Sequence, residues 1–173
     1  FASQFGDINI LLSSQLTPES RIQYRREIRS RVKEVTPFLK LDLDPYPVLD
    51  QAGKLWWLQD AYTATERIPY ASPTARPLPR ADNKEILGGF NYIRNSVKVV
   101  VDAYNGSMIF YTLELDKPDP VLGMWRNAFP SLFTPIDQMP TGLRKHIRYP
   151  EELLEAQADV FLQYHMTDPR EFF

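Results

Sequence analysis

Two histidines and a few carboxylates are the side chains in this sequence best suited to moving protons or holding a metal. His165 precedes Asp168 by three residues, and an imidazole beside a carboxylate has the donors of a zinc ligand pair or an acid/base couple. The spacing of His146 and His165 matches no zinc signature, and a His closing a helix is also explained by the negative C-terminus it faces. Asp168-Pro169 reads more simply as a turn that stops that helix. Asp60, Glu66, Asp102 and Glu114 could form the carboxylate pair of a glycoside hydrolase, which needs a separation of roughly 5 to 9 Å. Acids near strand ends are common, and nothing in the spacing fixes such a separation.

Binding chemistry has two further candidates. Arg21, Arg25 and Arg29 recur every four residues, with Arg26, Arg31 and Lys33 among them, and form the one basic concentration in the chain. On a helix such a stripe can lie along anionic lipid headgroups or an acidic partner; the plainer reading is a solvated face offset by Glu27 and Glu34. Trp56 and Trp57 adjoin in a strand-like segment, so one points to each face, with Tyr62 and Tyr70 downstream. An exposed aromatic stacks on sugars or peptides, whereas a buried one fills a core.

Whole chemistries are missing. The 173 residues contain no Cys, which removes a thiolate nucleophile, disulfides and Cys-based metal sites. There is no Gly-rich phosphate loop, nucleophile elbow or HExxH, so no cofactor or metal is expected. Lys and Arg total 20 against 22 Asp and Glu, a net charge of −2 that gives no general attraction for nucleic acid. A hydrophobic share of 43% with 13% aromatic residues predicts one folded core and excludes a mainly disordered chain. No run approaches the ~20 apolar residues that span a bilayer.

The elements that must position these residues follow from periodicity and punctuation. Thr17-Pro18-Glu19 predicts a helix start, and Ile22, Ile28, Val32 and Val35 predict an amphipathic helix from Pro18 to about Val35, closed by Pro37. Tyr46 to Asp50 and Leu55 to Thr63 predict a hairpin around Gly53. Pro69, Pro73, Pro77 and Pro79 predict a long loop over residues 67–80. Val97 to Tyr104 and Ser107 to Leu113 predict a second hairpin, its Asn105-Gly106 pair suited to a type I′ turn. Asp119-Pro120 opens a helix that Pro130 ends, and Tyr149-Pro150-Glu151-Glu152 opens another to about His165, with Leu153, Leu154, Val160, Phe161 and Tyr164 as its apolar stripe. The expected class is α+β: an antiparallel sheet of about four strands packed by the N-terminal helix, with a C-terminal helical segment.

Five segments carry a likeness to a known family. Phe5 to Gln15, Leu55 to Thr63, Asn91 to Lys98, Arg148 to Leu153, and Tyr164-His165-Met166-Thr167-Asp168-Pro169 resemble stretches of uncharacterised protein family 0182. The resemblance implies a bacterial multipass membrane protein with a large region outside the bilayer. It brings no assigned reaction and no catalytic residues. Together with a chain that opens on Phe1 and closes on Phe172-Phe173, it sets the expectation of a single soluble domain, residues 1–173, excised from a longer membrane protein. Within it, 1–16 would be a lead-in, 17–115 helix plus sheet, and 116–173 mainly helical. The expected role is noncatalytic binding on the extracytoplasmic side of the cell membrane, for the chain's own transmembrane region, an envelope component or a protein partner. An envelope hydrolase and a structural oligomerisation module are the alternatives.

Overall fold

A computed structural model describes residues 14, 17–19, 25–71, 90–113 and 118–164. The predicted helix from Pro18 to about Val35 does not form as one element. Thr17–Glu19 lie in a turn or just before it, residues 20–24 lie outside the described residues, residues 25–27 are not helical, and a helix, α1, runs over Ile28–Val35. Glu27 is its cap: its carboxylate accepts from Arg29 N at 2.9 Å and Ser30 N at 2.5 Å, while Arg25 sits in a left-handed conformation, φ 57°. A carboxylate that satisfies two first-turn amides competes with continuing the helix backwards.

Two hairpins form where expected. β2 (Tyr46–Leu49) and β3 (Leu55–Thr65) are joined through Gly53, φ 76°, and Asp50 Oδ1 accepts from Ala52 N and Lys54 N. β4 (Tyr92–Asp102) starts five residues before the apolar run, and β5 (Met108–Thr112) returns along it. The predicted type I′ turn is not the one adopted. Asp102 O accepts from Gly106 N, only Gly106 of the loop has positive φ, and Asp102 Oδ1 accepts from Tyr104 N and Asn105 N. The carboxylate organises a longer loop, which leaves Asn105 with no need for left-handed backbone.

The described residues hold six strands rather than four. β1 (Lys40–Leu41) and β2 both pair with β3, and the order continues β3-β4-β5-β6, with β6 (Phe133–Pro135) parallel to β5. The sheet is therefore mostly antiparallel with one parallel edge. α2 (Pro120–Ala128) and α4 (Glu151–Tyr164) begin at the predicted prolines, and a short α3 (Thr141–Arg144) lies between them.

Both faces of the β3–β4 pair are buried. On one face Val32 of α1 and Leu122 of α2 pack on Ala61, Val97, Val99, Val101 and Phe110, with Trp57 at the margin. On the other, Met139 and Leu143 pack on Leu58, Val100 and Tyr111, with Trp56 at the margin. This is why Val97 to Val101 lacks a polar alternation. The predicted apolar stripe of α4 divides: Leu153 is buried, while Leu154, Val160 and Phe161 are exposed.

Candidate binding cleft

A single irregularity in the sheet creates the polar site. β3 and β4 pair as Asp60↔Lys98 and Ala61↔Val97, then as Tyr62↔Asn95, so Ser96 is the extra residue of a bulge. Residues three apart on a regular strand point to opposite faces. Here the bulge places Asn95 and Lys98 on the same face as Asp60 and Tyr62.

These side chains interlock. Lys98 Nζ donates to Asp60 Oδ1, Asn95 Nδ2 donates to the same oxygen at 3.1 Å, and the Tyr62 hydroxyl donates to Asp42 Oδ2. Asp42, Asp60, Tyr62, Lys98 and Glu152 are all buried. Burial raises the Asp60 carboxyl above its ordinary value, and the neighbouring ammonium of Lys98 opposes the shift without cancelling it. Tyr62 is pushed far up by burial and by its bond to Asp42, so its hydroxyl stays a donor.

Residues 146–150 strap across this floor. Lys98 Nζ donates to Arg148 O at 3.1 Å, the Arg148 guanidinium bonds Asp44 Oδ2, and it stacks 3.9 Å from the centroid of the Tyr46 ring. Tyr46 OH donates to His146 O at 3.3 Å. Burial, then the charge of Asp60, lifts that phenol to about 12.

Two cavities lie beside the strap, sharing Arg148, Tyr149 and Pro150 and otherwise lined differently. A small niche of about 90 Å³ is bordered by Asp42, Asp44, Asp60 and Glu151. A cleft of about 520 Å³ runs under α4, bordered by Asn95, Lys98, Arg148 and Gln157 and by the apolar Ile93, Leu113, Ile147 and Leu153. Among the described residues that border the cleft, none is a carboxylate.

The sites proposed from sequence are placed elsewhere. Asp60 alone belongs to the buried network, where it borders the niche and not the cleft. Asp102 lies four residues along the sheet from the Asp60 pairing, about 13 Å away at strand spacing, beyond the reach of a glycosidase pair. It is held by Lys54 Nζ at 2.6 Å. Trp56 and Trp57 do point to opposite faces, each packed against a core; Trp56 Nε1 donates to Asp50 Oδ2 and Lys54 lies over its ring. Arg25 precedes α1 and pairs with Glu34, so Arg25 and Arg29 do not share a helix face. Arg21, His165 and Asp168 lie outside the described residues. Among the described residues no group of three His, Cys, Asp or Glu could hold a metal ion.

Comparison with known proteins now fixes the kinship. The sequence model of the family described as "Uncharacterised protein family (UPF0182)" matches residues 1–173. The chain belongs to this family. A UPF0182 protein of a Geobacter species is 50% identical over 173 residues, all of this chain and 18% of that protein. A UPF0182 protein of a Synechococcus species is 49% identical over 175 residues, covering 100% of this chain and 19% of the relative. One from Bradyrhizobium diazoefficiens is 47% identical over 173 residues, 17% of its length. The chain thus spans under a fifth of the curated UPF0182 relatives it matches. No solved structure matches it. No helix among the described residues is long and apolar enough to cross a membrane.

Proposed function

We propose that this chain is a noncatalytic ligand-binding domain of a larger UPF0182 membrane protein, lying on the extracytoplasmic side, and that the cleft under α4 is its binding site. The observation that carries the reading is the cleft itself: about 520 Å³, bordered by the apolar Ile93, Leu113, Ile147 and Leu153 together with Lys98, Asn95, Arg148 and Gln157. Its volume falls in the ~300–1,000 Å³ range of small-molecule sites, and a few placed polar groups in an apolar wall are their usual make-up. The membrane setting rests on the family resemblance, and the absence of Cys agrees with an oxidising compartment.

Amide spectra of the chain titrated with a solvent extract of bacterial envelopes test the reading. The expected result is saturable shifts at Asn95, Leu113, Ile147 and Gln157. Shifts confined to other surfaces, or none, would overturn it.

A further inference from the structure

The lining of the cleft narrows the ligand, and this step rests on the binding role proposed above. We propose that the cleft takes a single-chain carboxylate, its head on the Lys98 ammonium and its apolar chain along Ile93, Leu113, Ile147 and Leu153. Three features of the structure lead there.

First, the polar groups bordering the cleft are rich in donors. Lys98 uses two N–H groups on Asp60 Oδ1 and Arg148 O, and an ammonium has three. Gln157 accepts from Tyr149 OH through Oε1 at 2.8 Å, which leaves its amide N–H₂ as the cleft's second donor group. A ligand satisfying these must present acceptors.

Second, charge is segregated across the strap. Asp42, Asp44, Asp60 and Glu151 border the small niche together with Arg148, whereas the larger cleft is bordered by Arg94, Lys98 and Arg148 and, among the described residues, by no acid. A cationic head would meet cations and no acid there. A phosphate dianion would need more free positive charge than one shared ammonium, an Arg148 already paired with Asp44, and an Arg94 whose guanidinium bonds Pro118 O and lies over the Tyr92 ring. A monoanion with two oxygens matches what is offered.

Third, Lys98 is buried on a strand, so its ammonium is held in place before any ligand arrives. A preplaced charged donor in an apolar wall loses little ordering entropy on binding. Apolar residues border the cleft on both sides of it, Ile93 and Leu153 in one cluster and Leu113 and Ile147 in another, which suits an apolar chain better than a compact polar acid.

The test compares octanoate, octanol and octyltrimethylammonium by calorimetry on the full 173-residue chain, with Lys98→Met and the double variant Asp60→Asn/Lys98→Met. The double variant removes the buried pair together and leaves no orphaned charge, so it reports on binding even where Lys98→Met folds poorly. Octanoate should bind saturably, and losing one charge-assisted hydrogen bond should weaken it by about tenfold or more in both variants. Octanol should bind all three proteins alike. Octanol or the ammonium binding the parent chain as tightly as octanoate, or octanoate binding unchanged in the double variant, would overturn the carboxylate assignment while leaving the cleft as a binding site. If none of the three amphiphiles binds, the cleft reading falls with it.

Discussion

Lys98 and Asp60 are each 2% exposed, so each charge depends chiefly on the other. Removing one partner of such a pair costs about 3–5 kcal/mol, because the other is left buried and uncompensated. Asp60 has an escape: its carboxyl is already raised by burial and can take a proton. In Lys98→Met the folded Asp60 would hold its proton to still higher pH than the unfolded chain does. A group raised in this way binds more protons when folded, so stability falls as pH rises through the ordinary carboxylate range and is recovered as pH drops back. Lys98→Met should therefore be destabilised by a few kcal/mol near pH 7 and by much less near about pH 4. Asp60→Asn/Lys98→Met should show little of that pH dependence. Urea unfolding of both variants at the two pH values checks this; a Lys98→Met deficit that is constant with pH would show that Asp60 does not take up the proton. The residue-scale signal in the sequence was a lone Lys inside Val97-Lys98-Val99-Val100-Val101. It marks a buried charge in need of a partner, but the partner depends on register, which the sequence leaves open.

At the scale of elements, much was legible because it is written locally. Prolines and acids mark the starts of α2 and α4, and aromatic and β-branched runs mark β3 and β5. What escaped was tertiary choice: the bulge at Ser96, the parallel edge strand β6, and a cap at Glu27 where Thr17-Pro18 also had the right residues. Asp119 shows how a local signal gains a second role. As the predicted cap of α2 its Oδ1 accepts from Val121 N at 3.0 Å and Leu122 N at 3.1 Å, and it also accepts from Tyr92 OH at 2.8 Å. Its Oδ2 accepts from Thr63 Oγ1 at 2.6 Å and from Ser96 of the bulge, so one carboxylate pins the helix to the irregular part of the sheet. Burial works against its charge, but the hydrogen bonds from Ser96, Thr63, Leu122 and Tyr92 prevail and hold the carboxyl below its ordinary value. Asp119→Ala should cost about 2–4 kcal/mol, a lost cap together with orphaned hydroxyls. Asp119→Asn, which keeps an acceptor, should cost less. A lowered carboxyl stabilises fully above the ordinary carboxylate range and loses its effect as pH falls through the folded value, so both deficits should shrink in strong acid. Unfolding curves at neutral pH and near about pH 3 test the sign. Equal stability of Asp119→Ala and the parent at neutral pH would mean the network does not hold α2.

The whole molecule is a sheet whose two central strands are shared by cores on both faces, with α4 attached to one face chiefly through its first turn. β3 and β4 are buried from Leu58 through Thr63 and from Asn95 through Asp102, and every other strand pairs with them directly or through β5. Opening them breaks both cores at once. α4 buries Glu152 and Leu153, whereas Leu154, Phe161 and Leu162 are more than half exposed. Little apolar area must be given up to lift its later turns, and a segment with few buried contacts opens at a free energy well below the global value. Native-state hydrogen exchange should accordingly divide the chain in two. Amides of Leu58, Val99 and Val100 should exchange only through global unfolding, with a denaturant dependence matching the equilibrium slope. Amides in α4 beyond Glu155 should exchange faster, through local openings with little denaturant dependence. The strap should follow α4 rather than the sheet only if the bond from Lys98 Nζ to Arg148 O is weak; held by that bond and by the Arg148 pair with Asp44, Ile147 and Arg148 should instead show intermediate protection. Uniform protection from β3 through α4 would mean that the helix is docked more firmly than its buried surface implies, and that the cleft beneath it opens only when the fold does.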